Sequence, residues 1–321
     1  MTQTLQLPVR RAAAVNVDVD GLYLYERIHG VAGGAGNAAG FDAARHDPRA
    51  WTRGVARFLD LFDRTGVRAT FFCVAQDLAH PDVQVIFREV VAAGHEVGNH
   101  SLTHPYDLSR QEPAAIRAEL STARQRLEQH AGAKVVGFRA PGYVLSPALL
   151  DAIAETGHVY DSSRFPCPPY QAAKALAIAA YKLGGKPSGS IAEGPEVWFG
   201  PAAPHLVRVR SGHLVELPVA VLPGVRMPFI GTSLIAFGEA GWQATRPLLA
   251  RTPWVNFESH AVDLCDMAAD ELPPLFRKQP DQRVPLAEKW PRFVRALESL
   301  RRTHEVRTLA EWAASTALGG Q

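Results

Sequence analysis

The chain is poor in cysteine. Cys73, Cys167 and Cys265 are odd in number and far apart, so they form neither a paired-thiolate zinc motif nor a disulfide framework. Each reads as a small buried hydrophobe. Charge of one sign is also missing: 34 basic residues against 32 acidic leave a formal net charge of +2. That balance lacks the basic excess by which a nucleic-acid or membrane-surface binder is known. No uncharged apolar run reaches the roughly 18 residues of a spanning helix. Gln171 to Leu183 is apolar but short, and Lys174 and Lys182 interrupt it. Met1 to Ala14 has no continuous apolar stretch of signal-peptide type, so the expected location is the cytoplasm.

What is present is material for a large core. Of 321 residues, 47% are hydrophobic and 21% charged, a composition typical of globular proteins. One large domain fits this length, as in many α/β barrels. Ala12 to Val19 reads as a buried strand ending in two aspartates, followed by a Gly- and Ala-rich loop from Gly30 to Gly40. Asp47 and Pro48 open a helix whose Val55, Phe58, Leu59 and Phe62 share one face, and Gly66 stops it. Strands at 69–74, 95–99, 135–138 and 159–161 then alternate with helices at 83–93, 113–130 and 147–157.

From Arg164 to Gly212 the rhythm breaks into Pro- and Gly-rich chain around one helix. This reads as an insertion, since it has too little periodic apolar material for a core of its own. Further strands at 214–221, 254–259 and 305–309, with helices near 240–250, 285–302 and 309–317, complete the set. Seven or eight strand–helix units predict a mostly parallel sheet closed into a distorted (β/α) barrel. The expected layout is a barrel over residues 12–317 with an N-terminal extension over 1–11. Asp18, Asp20, His100, His104, Arg139, Asp161 and His260 all fall at or just past carboxyl ends of predicted strands, the face where barrel active sites form.

His100 and His104 are four apart, so a helical turn would bring both rings to one face, about 5–6 Å between Cβ atoms. With one distant carboxylate they would make a three-ligand metal site with a position open for water. Alone, the same pair also describes a solvated turn. Asp18 and Asp20 share one side of their strand by period two. Either they cap the following turn, or Asp20 holds a metal and Asp18 activates water beside it. Arg139 could grip a carboxylate in a bidentate bond or bridge any neighbouring acid. Gly142, in a tight turn, offers a backbone N–H as an oxyanion donor. His260 is a candidate acid or a structural histidine, and Asp161 could orient His260 or Arg139 or cap a turn.

In order along the chain stand Asp18-Val19-Asp20, then Gly94-His95-Glu96-Val97-Gly98-Asn99-His100-Ser101-Leu102-Thr103-His104, Arg139-Ala140-Pro141-Gly142, Tyr160-Asp161-Ser162-Ser163 and His260. These resemble the five signature segments of the polysaccharide deacetylases, carbohydrate esterase family 4 (NodB-like). The resemblance spans roughly Val15 to Ala261 and implies a distorted barrel of about seven strands. It makes Asp18 the general base, with Asp20, His100 and His104 as ligands of a divalent metal. Zinc is the default ion, and Fe, Mn or Co also suit this donor set. Arg139 would position Asp18, Gly142 would help bind the oxyanion, and His260 would protonate the leaving amine with Asp161 supporting it.

Val19 between the aspartates, where many members have adjacent ones, resembles an intracellular branch that includes cyclic-imide and allantoin hydrolases and a sugar deformylase. Ser259-His260-Ala261 departs from the usual Leu-His-Pro. The expected activity is removal of an N-acyl group, foremost acetyl, from an amino sugar of a glycan or a lipid- or nucleotide-linked precursor. The expected partner is therefore an N-acylated carbohydrate or glycolipid, and no nucleic acid. A cyclic imide or ureide, or a sugar N-formyl group, is the alternative substrate. An inactive barrel that only binds carbohydrate or metal is the alternative of a different class.

Overall fold

In the computed structural model, residues 3–5, 7–28, 42–183 and 195–317 are described. The Gly30–Gly40 loop lies outside them. Ten strands join one sheet: β1 (Gln3–Thr4), β2 (Ala12–Val19), β3 (Thr70–Cys73), β4 (Glu96–Asn99), β5 (Gly137–Phe138), β6 (Tyr160–Asp161), β7 (His205–Val209), β8 (Gly212–Glu216), β9 (Trp254–His260) and β10 (Glu305–Val306). Strands β9, β2, β3, β4, β5, β6 and β8 are neighbours in that order and all parallel. The chain after β8 reaches β9 through Ala220 N–H to Asn256 O, 2.9 Å, which curls the sheet towards closure. The result is the distorted (β/α) barrel expected from the sequence.

Helices α1 (Leu22–Ile28), α2 (Ala56–Thr65), α3 (Pro81–Ala92), α4 (Pro113–Ala131) and α5 (Pro147–Glu155) fill the crossovers. Gly66 ends α2 in the left-handed region at φ 61°, where its carbonyl-capping geometry costs least. A one-turn π-helix over Ala50–Val55 precedes α2, so the regular helix begins later than Asp47 and Pro48 suggest. No described helix is long and apolar enough to cross a membrane.

Reading Arg164 to Gly212 as an insertion around one helix misses part of its content. Besides α6 (Pro168–Leu183) and the single-turn α7 (Pro195–Trp198), it supplies β7. That strand forms an antiparallel hairpin with β8 and pairs with β1 on its other edge. Five residues between Pro-rich chain and a tight turn carry too short a pattern to stand out. Helices α8 (Gly231–Leu249), α9 (Leu286–Thr303) and α10 (Leu309–Ala317) complete the ring.

Strand β2 shows how the interior is layered. All eight of its residues are buried, as a barrel strand covered on both faces requires. Ala13, Val15, Val17 and Val19 pack towards the helices with Phe58, Phe62 and Phe71. The alternate residues face inward. Ala12 and Ala14 join Phe72, Tyr160, Trp254 and Trp312 in an apolar floor, where Trp312 Nε1 donates to Ala13 O at 2.8 Å. Asn16 lies one step higher in a polar layer, and Asp18 one step above that.

Candidate functional site

The carboxyl end of β2 releases Asp18 and Asp20 next to the end of β4, where Asn99 leads into His100. The segment 100–104 is not the helical turn that the four-residue spacing predicts. Asn99 Oδ1 accepts from Ser101 N (2.8 Å) and Ser101 Oγ accepts from His104 N (2.9 Å). Ser101 and His104 take φ of 69° and 56°. These side-chain bonds replace the helical ladder and still converge the rings, whose centroids are 4.7 Å apart.

Asp20 Oδ1 stands 3.4 Å from Nε2 of both histidines. His100 Nδ1 donates to Arg139 O at 2.8 Å, which fixes the ring's orientation and turns Nε2 to Asp20. Burial works against the charged ring, but Asp20 and Asp18 outweigh it and raise the His100 pKa. Asp20 Oδ1 and His104 Nδ1 are buried with no hydrogen-bond partner among the described residues. Burial pushes the His104 pKa down to about 4, so the ring is neutral at pH 7, as a ligand must be. A buried carboxylate oxygen facing two imidazole nitrogens and otherwise unserved is a donor set that fits a divalent cation.

Beside this triad lies a second cluster of Asp18, Glu258 and His260. Arg139 is fully buried and joins them from the end of β5. Its Nη1 donates to Asp18 Oδ1 at 2.6 Å and also to Asn16 Oδ1. Its other nitrogens reach Ser162 O (2.8 Å) and Ser162 Oγ (2.7 Å), and its guanidinium lies 4.3 Å over the Phe72 ring. The fork is used in full, so Asp18 is held in one orientation. His260 Nδ1 is 3.0 Å from Glu258 Oε1. Burial disfavours the charged imidazole, but Glu258, Asp20 and Asp18 outweigh it and hold the pKa well above the usual range.

Gly142 follows at φ 63°, a conformation that favours glycine. Lys174 Nζ, from α6, donates to Gly142 O at 2.9 Å. Asp18, Asp20, both histidines, Gly142 and His260 line one cavity of about 260 Å³, with Tyr25, Tyr106, Tyr143 and Tyr170 in its walls. Tyr106 packs edge-on against His104, centroids 4.8 Å apart.

Asp161 is the expected site residue that the structure does not bring to its partner. It accepts from Ser163 Oγ at 2.6 Å, and Ser163 Oγ in turn accepts from Ala140 N at 2.8 Å. In the strand register Asp161 lies opposite Glu216, and burial pushes both carboxyls up. Asp161 therefore supports the Arg139–Gly142 turn from below and leaves His260 to Glu258. Glu258 takes that place, and the sequence carries its signal, since two positions from His260 on one strand puts both on one face. Asp263, whose Oδ2 accepts from His260 N at 3.0 Å, carried no comparable signal.

Fold and site together define a distorted (β/α) barrel with its polar cluster at the carboxyl ends of the strands. Residues 40–160 match the polysaccharide deacetylase family, and the resemblance drawn from the five sequence segments stands. A chitooligosaccharide deacetylase of Bradyrhizobium sp. (strain ANU 289) is 44% identical over 69 residues, 22% of this chain and 30% of that one. Another from Rhizobium leguminosarum bv. phaseoli is 33% identical over 98 residues, 30% of this chain and 42% of that one. The chain thus spans under half the length of these curated relatives. Among solved structures, a Mycobacterium smegmatis protein assigned as a polysaccharide deacetylase superposes with a TM-score of 0.61 at 20% identity, covering 99% of this chain and 94% of that one. An allantoinase superposes with a TM-score of 0.57 at 15% identity, covering 97% and 92%. At these identities the likeness is one of fold.

Proposed function

We propose that the protein is a metal-dependent amide hydrolase that removes an N-acyl group, foremost acetyl, from an amino sugar of a glycan or a lipid- or nucleotide-linked precursor. The observation that carries this reading is the meeting of two unlike sets in one cavity. One is the ligand-type triad Asp20, His100 and His104; the other is Asp18 gripped by Arg139 with His260 opposite.

A divalent ion held by the triad would supply Lewis acidity towards the amide carbonyl and the attacking water. Asp18 accepts the proton of that water, and Arg139 keeps its carboxylate aimed. The N–H of Gly142 donates to the oxygen on which negative charge develops. His260 gives a proton to the nitrogen that leaves. The four tyrosines provide faces and hydroxyls suited to a hydroxylated ring. A catalytically empty barrel would have no need to keep a base, its arginine, three ligands and an acid together.

The test uses the purified zinc-loaded protein on N-acetylated and N-formylated amino sugars, with hydantoin and allantoin alongside. Released acetate is expected, and Asp18→Asn should keep its metal and lose hydrolysis. A wild-type chain with no metal affinity, or an Asp18→Asn variant of full activity, removes this mechanism. Opening of hydantoin or allantoin without acetate release moves the substrate to a cyclic amide.

A further inference from the structure

Glu258 is wholly buried on β9, two residues before His260 and on the same face. Its carboxylate lacks the full set of well-aligned hydrogen bonds that a buried anion needs. What serves it is charge: His260 Nδ1 at 3.0 Å, with the Arg139 guanidinium and the Tyr143 hydroxyl near. The groups that act on His260 come from several elements: Asp18 and Asp20 from the end of β2, and Glu258 from β9 itself. Asp263 follows in the next turn and accepts the backbone N–H of His260 at 3.0 Å.

Counted as charges, Asp18 and Glu258 are two anions, and Arg139 and a protonated His260 are two cations. With that proton on His260 the set is neutral. A proton on His260 is therefore what the cluster calls for. With Nδ1 turned to Glu258, Nε2 is the nitrogen available to the cavity that His260 lines.

We infer that Glu258 is the positioning residue for His260, presenting a charged imidazole whose Nε2–H is the proton delivered in the reaction, and that Asp161 has no part in this. The inference rests on the reading of His260 as the acid of an amide hydrolase. In the step, the Nε2–H bond breaks and an N–H bond forms on the leaving nitrogen. The imidazole becomes neutral and Glu258 keeps its charge throughout. The arrangement follows the general logic of a carboxylate holding an imidazole by Nδ1.

The experiment is an NMR titration of the histidine rings in the full, zinc-loaded chain, with His260 assigned from His260→Gln. In Glu258→Gln the His260 midpoint should fall by about one unit or more. In Glu258→Asp most of it should be restored, and in Asp161→Asn it should stay with the wild type. On an N-acylated sugar, Glu258→Gln should lose roughly 100-fold in kcat with KM within about twofold, and its alkaline limb should move to lower pH. A His260 midpoint unmoved in Glu258→Gln, or moved equally in Asp161→Asn, overturns the inference. Should Glu258→Gln lose its amide dispersion, Glu258→Asp carries the test, because a purely spatial role predicts no recovery of the midpoint. The titration decides the pairing even if no N-acylated sugar is hydrolysed, and that outcome would remove the activity while leaving the pairing in place.

Discussion

Asp18 and Asp20 stand two residues apart at one strand end, and the molecule treats them oppositely. Asp18 is neutralised by protein: Arg139 grips it at 2.6 Å, and Arg139 is itself bonded to Asn16 and Ser162. Asp20 faces two imidazoles at 3.4 Å and keeps a buried oxygen with no hydrogen bond among the described residues. One aspartate is paired with a guanidinium inside the chain, and the other faces only imidazoles, as a member of the proposed ligand triad. Neighbouring residues of one type thus acquire different chemistry from what is packed under them.

The strongest way to break this contrast is to remove the built-in cation. Arg139→Met leaves Asp18 buried and unpaired, and should cost about 3–5 kcal/mol of stability in urea unfolding. Arg139→Lys should recover little, since one ammonium cannot reach the three directions the guanidinium fills. A loss below about 1 kcal/mol would mean that Asp18 does not depend on Arg139.

Next in size is the response to metal. With zinc at 100 times its dissociation constant, unfolding free energy should rise by about 2.7 kcal/mol in the wild type and equally in Asp18→Asn. His104→Ala should show no such rise in a thermal melt with and without chelator. Equal loss in both variants would erase the division of labour between the two aspartates.

The loop that presents the ligands rests on a further histidine. Asn99, which shapes the turn to His104, donates from Nδ2 to Leu120 O and stands 3.1 Å from His158 Nε2. Burial, with Arg124 adding to it, holds the His158 pKa down at about 4. Its unfolded value is near 6.5. The unfolded chain therefore binds this proton first, and stability that is full above pH 6.5 is lost as pH falls towards 4. Between pH 7 and pH 5 the wild type should lose about 2 kcal/mol more than His158→Gln in urea melts. Parallel pH curves for the two would contradict it.

The smallest effect expected is at Lys174, whose Nζ donates to Gly142 O at the wall of the cavity. Lys174→Met should lower kcat by roughly threefold to tenfold, within about 1.4 kcal/mol, and leave zinc content unchanged.

The sequence made much of this legible where a pattern is local. Ala12 to Val19 reads as a strand because its run is apolar and ends in carboxylates, and it is β2 residue for residue. Gly66 marks the end of α2 because a left-handed cap is a single-residue event. Reading fails where the deciding contact lies across the barrel. Spacing places His100 and His104 on a helix, but Asn99 and Ser101 side chains take over the backbone hydrogen bonds there. Asp161 and Glu258 are both strand-end carboxylates, and only the register separates them: Asp161 falls opposite Glu216, while Glu258 shares a face with His260. The hairpin strand β7 was hidden by its Pro-rich surroundings.

The storeyed interior has a practical consequence. Trp254, Trp312 and Tyr160 form a floor, and Asn16, Asn256, Arg139 and Ser162 lie between it and the reactive rim. An engineer could harden the floor for heat, or exchange rim residues for a new substrate, and meet the two tasks as separate problems joined at Arg139.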